Sequence, residues 1–545
     1  MSAEHESLSK ASTSSWGRWM ALTAALLGWM FDGAEMGMFS MVGRDAIKDL
    51  LGPDDPSSVG KVFGVIIAVF LVGAAAGGVV FGWLGDRIGR VRAMSLSVLV
   101  YALLTGLCGF AQTPLQLGIL RFLASLGMGG EWALGVALVM EVWPNRSRAL
   151  MAGLIGAAAN AGYLIVGFTS MGLTTVLSSF HDFLLGLGLS QETVSMLVAN
   201  RGWRLMMMLG TLPALLTFFF RIFVPESHRW EEERERGHTS GWQTQDLLGV
   251  LIGCVGPALI IAVWAWDTSK WTLPLTVTVR GLGTVLGLLV ATVGFTYPVY
   301  RYIQRSMLQA GAEHSTLFSQ KLVLRRMFLG AALSAIALLG TWGTTQWAVS
   351  WVGSLKDTQA RAAVEAGQAV VSDTGVIQRY AREWTQIATA LGAIIGTVIA
   401  AWLGESLGRR ATYCLMCGLS MVSVLWLYQA HHTFGLPLLT AALVAGICTA
   451  SFYGWLPLYL PELFPTRVRA TGQGFAFNFG RILAAIGTLQ MSSLLGSLKT
   501  VSTWSGLTGD SGSYAVACSS LTVIYLVGMA IIWIAPETKG QPLPD

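Results

Sequence analysis

The sequence predicts an all-α polytopic membrane protein, two six-helix bundles with two extra membrane helices between them, and three observations carry that reading. Composition is the first: 53% of residues are hydrophobic and 12% charged, with a mean hydropathy of +0.59, where soluble domains carry roughly 25% charge. Second, most of the 545 residues lie in apolar runs of about 20, each able at ~1.5 Å per residue to cross a ~30 Å hydrocarbon core. Third, the chain repeats itself. Glu141, Pro144, Arg146, Arg148 and Ala149 return 321 residues later as Glu462, Pro465, Arg467, Arg469 and Ala470. Trp83-Leu84-Gly85-Asp86, with Gly89 and Arg90, returns 319 residues later as Trp402-Leu403-Gly404-Glu405, with Gly408 and Arg409. Pro225-Glu226-Ser227 and Pro536-Glu537-Thr538 form a third pair, 311 apart. Three motifs in one order at nearly one offset imply a duplicated unit.

The elements follow in order. Residues 1–18 are a polar, Ser-rich tail. The run after it, Trp19 to Val42, is too long for the apolar core of a signal peptide and contains acids. Spans near 19–42, 61–83, 93–111, 115–140, 149–172 and 203–223 make a first bundle over 19–224. The central region, 225–321, holds two further apolar stretches, 246–266 and 276–299. The first shows no polar face, as a helix lying on the membrane surface would. An even number of extra spans keeps the orientation of the second bundle, 322–535, with spans near 322–350, 384–403, 411–430, 436–459, 470–495 and 514–535. Residues 536–545 form a short tail. The segments 173–202 and 351–383 read as amphipathic or irregular caps. Gly73 and Gly77, like Gly392 and Gly396, sit four apart in matching second helices and read as close-packing surfaces.

Nearly twice as many Lys and Arg fall on the side of the N-terminal tail as on the other, which places both termini and every repeated motif in the cytoplasm, with the protein in the cell membrane. The net charge of +5 belongs to these short loops and is no sign of nucleic-acid binding. The six cysteines, Cys108, Cys254, Cys414, Cys417, Cys448 and Cys518, lie in or beside apolar runs, so disulfides are not expected. Cys414 and Cys417 have redox or zinc spacing but lack a second ligand pair. No nucleophile–base set, phosphate loop or metal-ligand cluster is visible, so neither an enzyme nor a cofactor nor a metal is expected. No inner segment is large enough for the output domain of a membrane sensor, although a non-transporting sensor is the alternative from another class.

The motifs then reach a family. Gly82-Trp-Leu-Gly-Asp86-Arg87-Ile-Gly89-Arg90 resembles the loop 2–3 signature of the major facilitator superfamily, and Arg121-Phe-Leu-Ala-Ser-Leu-Gly127-Met-Gly129-Gly130 resembles its fourth-helix motif. Pro225-Glu-Ser-His-Arg229-Trp230 and Pro536-Glu-Thr-Lys-Gly540 look like the tail motifs of its sugar and organic-ion branches. The resemblance covers roughly 19–230 and 320–540. It implies a secondary transporter whose two bundles rock around a central site, functional as a monomer. Gly85 and Gly89 permit a tight turn, and Asp86, Arg87 and Arg90 can latch neighbouring helix ends. Glu141 with Arg146 and Arg148, and Glu462 with Arg467 and Arg469, can supply a charge relay in the next loops. The second copy has Glu405-Ser-Leu in place of Asp-Arg before Arg409, which implies a weaker latch.

Charge inside the bilayer marks the expected chemistry. Asp32, Glu35, Arg121, Glu131 and Arg481 lie within apolar spans, and each would cost at least ~2.5–3.5 kcal/mol facing lipid. They must face partners or a watery cavity. Asp32 and Glu35, three apart, share a helical face and are close enough to raise one another's affinity for a proton. With Arg121 and Glu131 they are the expected proton-coupling set. Phe31-Asp32-Gly33-Ala34-Glu35 also resembles an Asp-Gly-x-Asp element in the first helix of aromatic-acid/proton symporters, with Glu in place of the second Asp. Arg481, one turn from Asn478, stands opposite Asn160 across the 321-residue offset, and its fixed guanidinium fork suits a carboxylate or a phosphate. Trp132, Tyr453 and Trp455 are the aromatics expected near the cavity. The leading expectation is proton-coupled symport of a small organic anion, aromatic, sugar-derived or another carboxylate; the alternative is a facilitator or symporter of neutral sugars.

Overall fold

The computed structural model describes residues 15–52, 58–132, 135–136, 139, 147–212, 215, 218, 246–266, 268, 270–309, 320–365, 376–465 and 468–544. Glu141, Arg146 and Arg467 lie outside the described residues, as do the side chains of Asp86, Arg87, Arg90 and Arg148.

The first half is built from α1 (Ser15–Leu51), α2 (Val59–Ile88), α3 (Arg90–Cys108), α4 (Pro114–Gly129), α5 (Arg148–Gly186) and α6 (Gln191–Leu209). The hairpin of α7 (Asp246–Ala265) and α8 (Leu273–Gln309) follows. The second half comprises α9 (Gln320–Trp342), α10 (Ala348–Glu365), α11 (Ala381–Leu407), α12 (Arg409–Gln429), α13 (Leu436–Ala450), α14 (Phe452–Tyr459), α15 (Arg469–Ser497), α16 (Gly509–Leu521) and α17 (Ile524–Ile531). No strand occurs among the described residues. Ten of the described helical segments are long and apolar enough to cross a membrane, and both members of the central hairpin are among them. Outside that group stand α1 and α15, whose apolar character is diluted by Asp32, Glu35, Asn478 and Arg481, and α4 and α6.

The caps expected at 173–202 and 351–383 are for the most part helical: α5 runs on to Gly186, and α10 occupies 348–365. Their sequences lose the membrane's hydropathy but keep good helix formers, so the helices project beyond the apolar zone. Between them α6 breaks at Asn200, Arg201 and Gly202, which adopt φ of 47°, 66° and 66°.

Two pairs of helices carry most of the contact between the halves, α5 on α11 and α2 on α15, and α5 also meets α14. Within each half the paired glycines act as expected. A Cβ on Gly77 would collide with the carbonyl of Leu126 in α4, and one on Gly396 with the carbonyl of Ile447 in α13. The duplicated unit has therefore kept the same backbone-to-backbone seam twice. The hairpin closes on itself the same way, Gly256 against the Gly287 carbonyl, and α7 rests on α2 while Leu251, Val255, Leu289 and Val293 point outward. Cys417 is a packing residue, its Sγ against Gly528 of α17.

Candidate functional site

Between the halves lies a cavity walled by residues of α1, α2, α4, α5, α9, α10, α11, α13, α14 and α15. Five of the residues expected there line it: Asp32, Trp132, Asn160, Tyr453 and Arg481. Trp132 and Tyr453 are themselves 321 residues apart, so the offset that pairs Asn160 with Arg481 pairs them too. Repeat-related positions converge on the centre because the halves face each other across it.

Arg481 is 7% exposed, and its Nη1 donates to Asn478 Oδ1 at 2.9 Å. Asn478 is off the cavity wall and acts on the arginine from behind. The guanidinium carbon stands 4.9 Å over the Phe477 ring, and that ring stacks on Trp132 at 3.9 Å and 10°. The stack carries contact from the first half to the second and fixes the plane of the fork. Asp32 is near enough to act on Arg481 electrostatically, yet among the described residues no ion pair includes Arg481. A five-donor cation therefore faces the cavity with one side-chain acceptor.

Asp32 and Glu35 do not meet as expected. Asp32 lines the cavity, whereas Glu35 is paired with Arg121 of α4 and accepts from Thr105 Oγ1 at 3.2 Å. The Arg121 guanidinium is held between Phe39 and Phe70, 4.6 and 4.5 Å from the ring centres. The nearby cation, rather than the second acid, is what Glu35 turns to, since Coulomb attraction in a dry core outweighs anything two carboxylates offer. Glu131, next to Trp132, is fully buried and off the cavity wall. Trp455 is a correction: it is 0% exposed, donates from Nε1 to Arg409 O at 3.1 Å and packs on Tyr413 and Tyr459. Two residues beyond Tyr453 on one helix, it faces the other way.

At the end carrying the repeated motifs, Arg409 binds Glu462 through two contacts, 2.7 and 3.0 Å, with Glu405 at 3.6 Å and the Gly404 carbonyl at 2.5 Å. The ion pairing of Arg409 thus runs to Glu462 more than to Glu405, whose side chain is 56% exposed. The tail joins it. Thr538 donates to Glu462 at 2.6 Å, Arg469 donates to the Pro544 carbonyl, and Glu537 accepts from the backbone N–H groups of Arg409 and Arg410. Partial burial pushes the Glu537 carboxyl up, but the backbone N–H groups of Arg409, Arg410, Lys539 and Thr538 outweigh it and hold it below the usual carboxylate range.

Sequence reasoning missed the opposite end. There Asp45 of α1 pairs with Arg382 of α11 at 3.0 Å, and Arg201 pairs with the fully buried Glu383, which also accepts from Ser170 at 3.1 Å. The two ion pairs cross between the halves with opposite polarity. Arg201 owes its reach to the left-handed turn, which Asp49 holds by accepting from Asn200, Trp203 and Arg204. Nearer the cavity, Ser40 donates to Gln346 Oε1 and Gln346 Nε2 to the Tyr163 hydroxyl, at 2.7 and 2.9 Å. Asp45, Arg382 and Glu383 appear once each, without a repeat-related copy, and the apolar runs carry no signal for the amides.

The sequence matches the family described as sugar (and other) transporter over residues 20–241 and 356–539. The chain belongs to that family. Its members and relatives are transporters of the major facilitator superfamily, not enzymes. It is 24% identical to a cis,cis-muconate transport protein of Acinetobacter baylyi, over 86% of this chain and 85% of the relative, and 24% identical to a niacin transporter of the same organism, over 95% and 93%. Among solved structures it resembles the proton:xylose symporter XylE of E. coli, with a TM-score of 0.58 at 15% identity, covering 97% of this chain and 98% of that one. That likeness concerns the fold.

Proposed function

We propose that this membrane transporter carries a small organic anion together with protons by alternating access, with Arg481 as the anion's anchor. The observation that carries the reading is a buried arginine on the cavity wall whose only hydrogen bond to a side chain among the described residues is to a neutral amide. A buried guanidinium with spare donors is costly unless an anion visits it. Relatives named for muconate and niacin transport, both carboxylates, support the class of cargo. A neutral sugar needs no such cation.

Protons enter the scheme through Asp32, on the cavity wall within electrostatic reach of Arg481, and through the Glu35–Arg121 pair behind it. Protonating Glu35 would release Arg121 from its partner, so proton uptake and helix position are linked. The motif end lies in the cytoplasm of a cell membrane, as the Lys and Arg bias implies, and the crossed ion pairs then close the outer end. The two six-helix halves move against each other, and the α7–α8 hairpin rides on α2. The test is uptake of benzoate or nicotinate into proteoliposomes under an imposed inward proton gradient. Uptake should rise with outside acidity, collapse with a protonophore and lose its pH dependence in Glu35→Gln; uptake indifferent to both the gradient and the variant would overturn proton coupling.

A further inference from the structure

A second polar feature of the cavity asks for a partner. Gln386 of α11 lines the cavity and is 4% exposed. Its Nε2 donates to the Tyr163 backbone carbonyl across the seam at 3.0 Å. A carbonyl can only accept, so the amide is fixed with its nitrogen toward α5. Gln386 Oε1 is then a buried acceptor that meets no donor among the described residues. Its polar neighbours on the wall are differently placed. Thr341, Thr345, Thr389 and Thr449 return their hydroxyls to carbonyls one turn back. Gln346 spends both ends of its amide on Ser40 and Tyr163. Because the Tyr163 oxygen accepts from Gln346, its hydroxyl keeps a proton of its own to give.

An acceptor without a donor is what a ligand hydroxyl satisfies, since it has a proton to give, and its lone pairs remain free for a donor elsewhere on the wall, where Tyr163 also stands. A ligand carboxylate would repel Gln386 Oε1, and an ammonium would bring a second positive charge into a cavity whose wall already holds Arg481. We propose that the cavity selects organic acids bearing a hydroxyl group on the part of the molecule remote from the carboxylate, and that Gln386 is the residue that reads that hydroxyl. The proposal rests on the assignment of Arg481 to the carboxylate. A ligand filling the cavity displaces water from Oε1, so an acid without the hydroxyl leaves that oxygen unmet, and a site built around a hydroxyl discriminates strongly against its absence.

The experiment compares two matched pairs on the purified full-length protein by isothermal titration: 4-hydroxybenzoate against benzoate, and the flexible 6-hydroxyhexanoate against hexanoate. At least one hydroxylated acid should bind about tenfold or more tightly than its partner. Gln386→Met should weaken that acid by a similar factor and leave its partner unchanged, and Arg481→Ala should weaken both. Equal binding within both pairs, with the dependence on Arg481 intact, overturns the hydroxyl reading and leaves the anion reading standing. Binding of none of the four, or binding indifferent to Arg481→Ala, overturns the anion reading and this proposal with it. The comparison within the wild type stands even if Gln386→Met fails to fold.

Discussion

Replacing Glu383 by Gln should loosen the end of the molecule opposite the repeated motifs. Glu383 is fully buried, and one of its oxygens receives both Arg201 and Ser170, while the other meets no donor among the described residues. Nearly all that holds its charge in the interior therefore comes from the other half of the protein. A charge-assisted hydrogen bond contributes about 1.5–3 kcal/mol. The Arg201 side chain is 34% exposed and regains water when released, which argues for the lower part of that range, about 2 kcal/mol. At ~1.4 kcal/mol per factor of ten, the ratio of closed to open forms at that end falls about 30-fold. The assay is the labelling rate of Thr345→Cys, on the cavity wall, by a membrane-impermeant thiol reagent added outside intact cells, with the native cysteines as background. Glu383→Gln and Arg201→Ala should each accelerate labelling, and so should Asp45→Arg or Arg382→Asp alone. The exchanged pair Asp45→Arg with Arg382→Asp should restore the slow rate, since that contact spans 3.0 Å and needs only opposite charge. Labelling at the parent rate in both Glu383→Gln and Arg201→Ala, or an exchanged pair as open as its single variants, would refute a role for these pairs in closing that end.

Two further outcomes follow from the seams and the tail. Gly77→Ala and Gly396→Ala should each lower the thermal midpoint, because a Cβ there meets a backbone carbonyl that cannot yield, at about 1–3 kcal/mol or more; Gly418→Ala, where nothing lies within 4 Å, should be neutral or stabilising. Glu537→Gln should destabilise the second half at neutral pH, read as a drop in thermal midpoint. Because the Glu537 carboxyl is held below its ordinary value, its contribution is complete above the unfolded-state value, ~4.3, and is lost as pH falls through the lower folded value. The midpoints of wild type and Glu537→Gln should therefore converge only in strongly acidic solution; convergence near pH 6 would contradict the clasp.

What the sequence made legible has a common physical origin. Apolar length and composition impose helices because the bilayer leaves no other way to satisfy backbone groups, and a repeated unit copies its constraints, so Gly77 and Gly396 predict matching seams and Asn160 and Arg481 predict a shared cavity. Glu35 and Arg121 were marked by the cost of charge in an apolar span, although their partnership was not: two acids three apart look like a pair until the cation from another helix is in place. Trp455, expected at the cavity with Tyr453, lies off its wall, because a two-residue step turns a side chain to the far side of a helix. The polar pieces Gln346, Gln386 and Tyr163, and the crossed pairs at the opposite end, carried no signal. Ser, Gln and Tyr are tolerated throughout such helices, and what makes these particular ones important is the partner that the tertiary arrangement brings to them.

The central claim is that Arg481 anchors an anion, and it is tested most directly by titrating a panel of carboxylates and matched neutral amides, benzoate with benzamide and nicotinate with nicotinamide, into wild type, Arg481→Lys and Arg481→Ala. Wild type should bind at least one of the carboxylates in preference to its amide. Lysine should keep part of that affinity as a point charge without the fork, and alanine should lose it while the protein remains folded by its thermal midpoint. Carboxylate affinity unchanged in folded Arg481→Ala would contradict the assignment and return the cavity to the neutral-sugar reading.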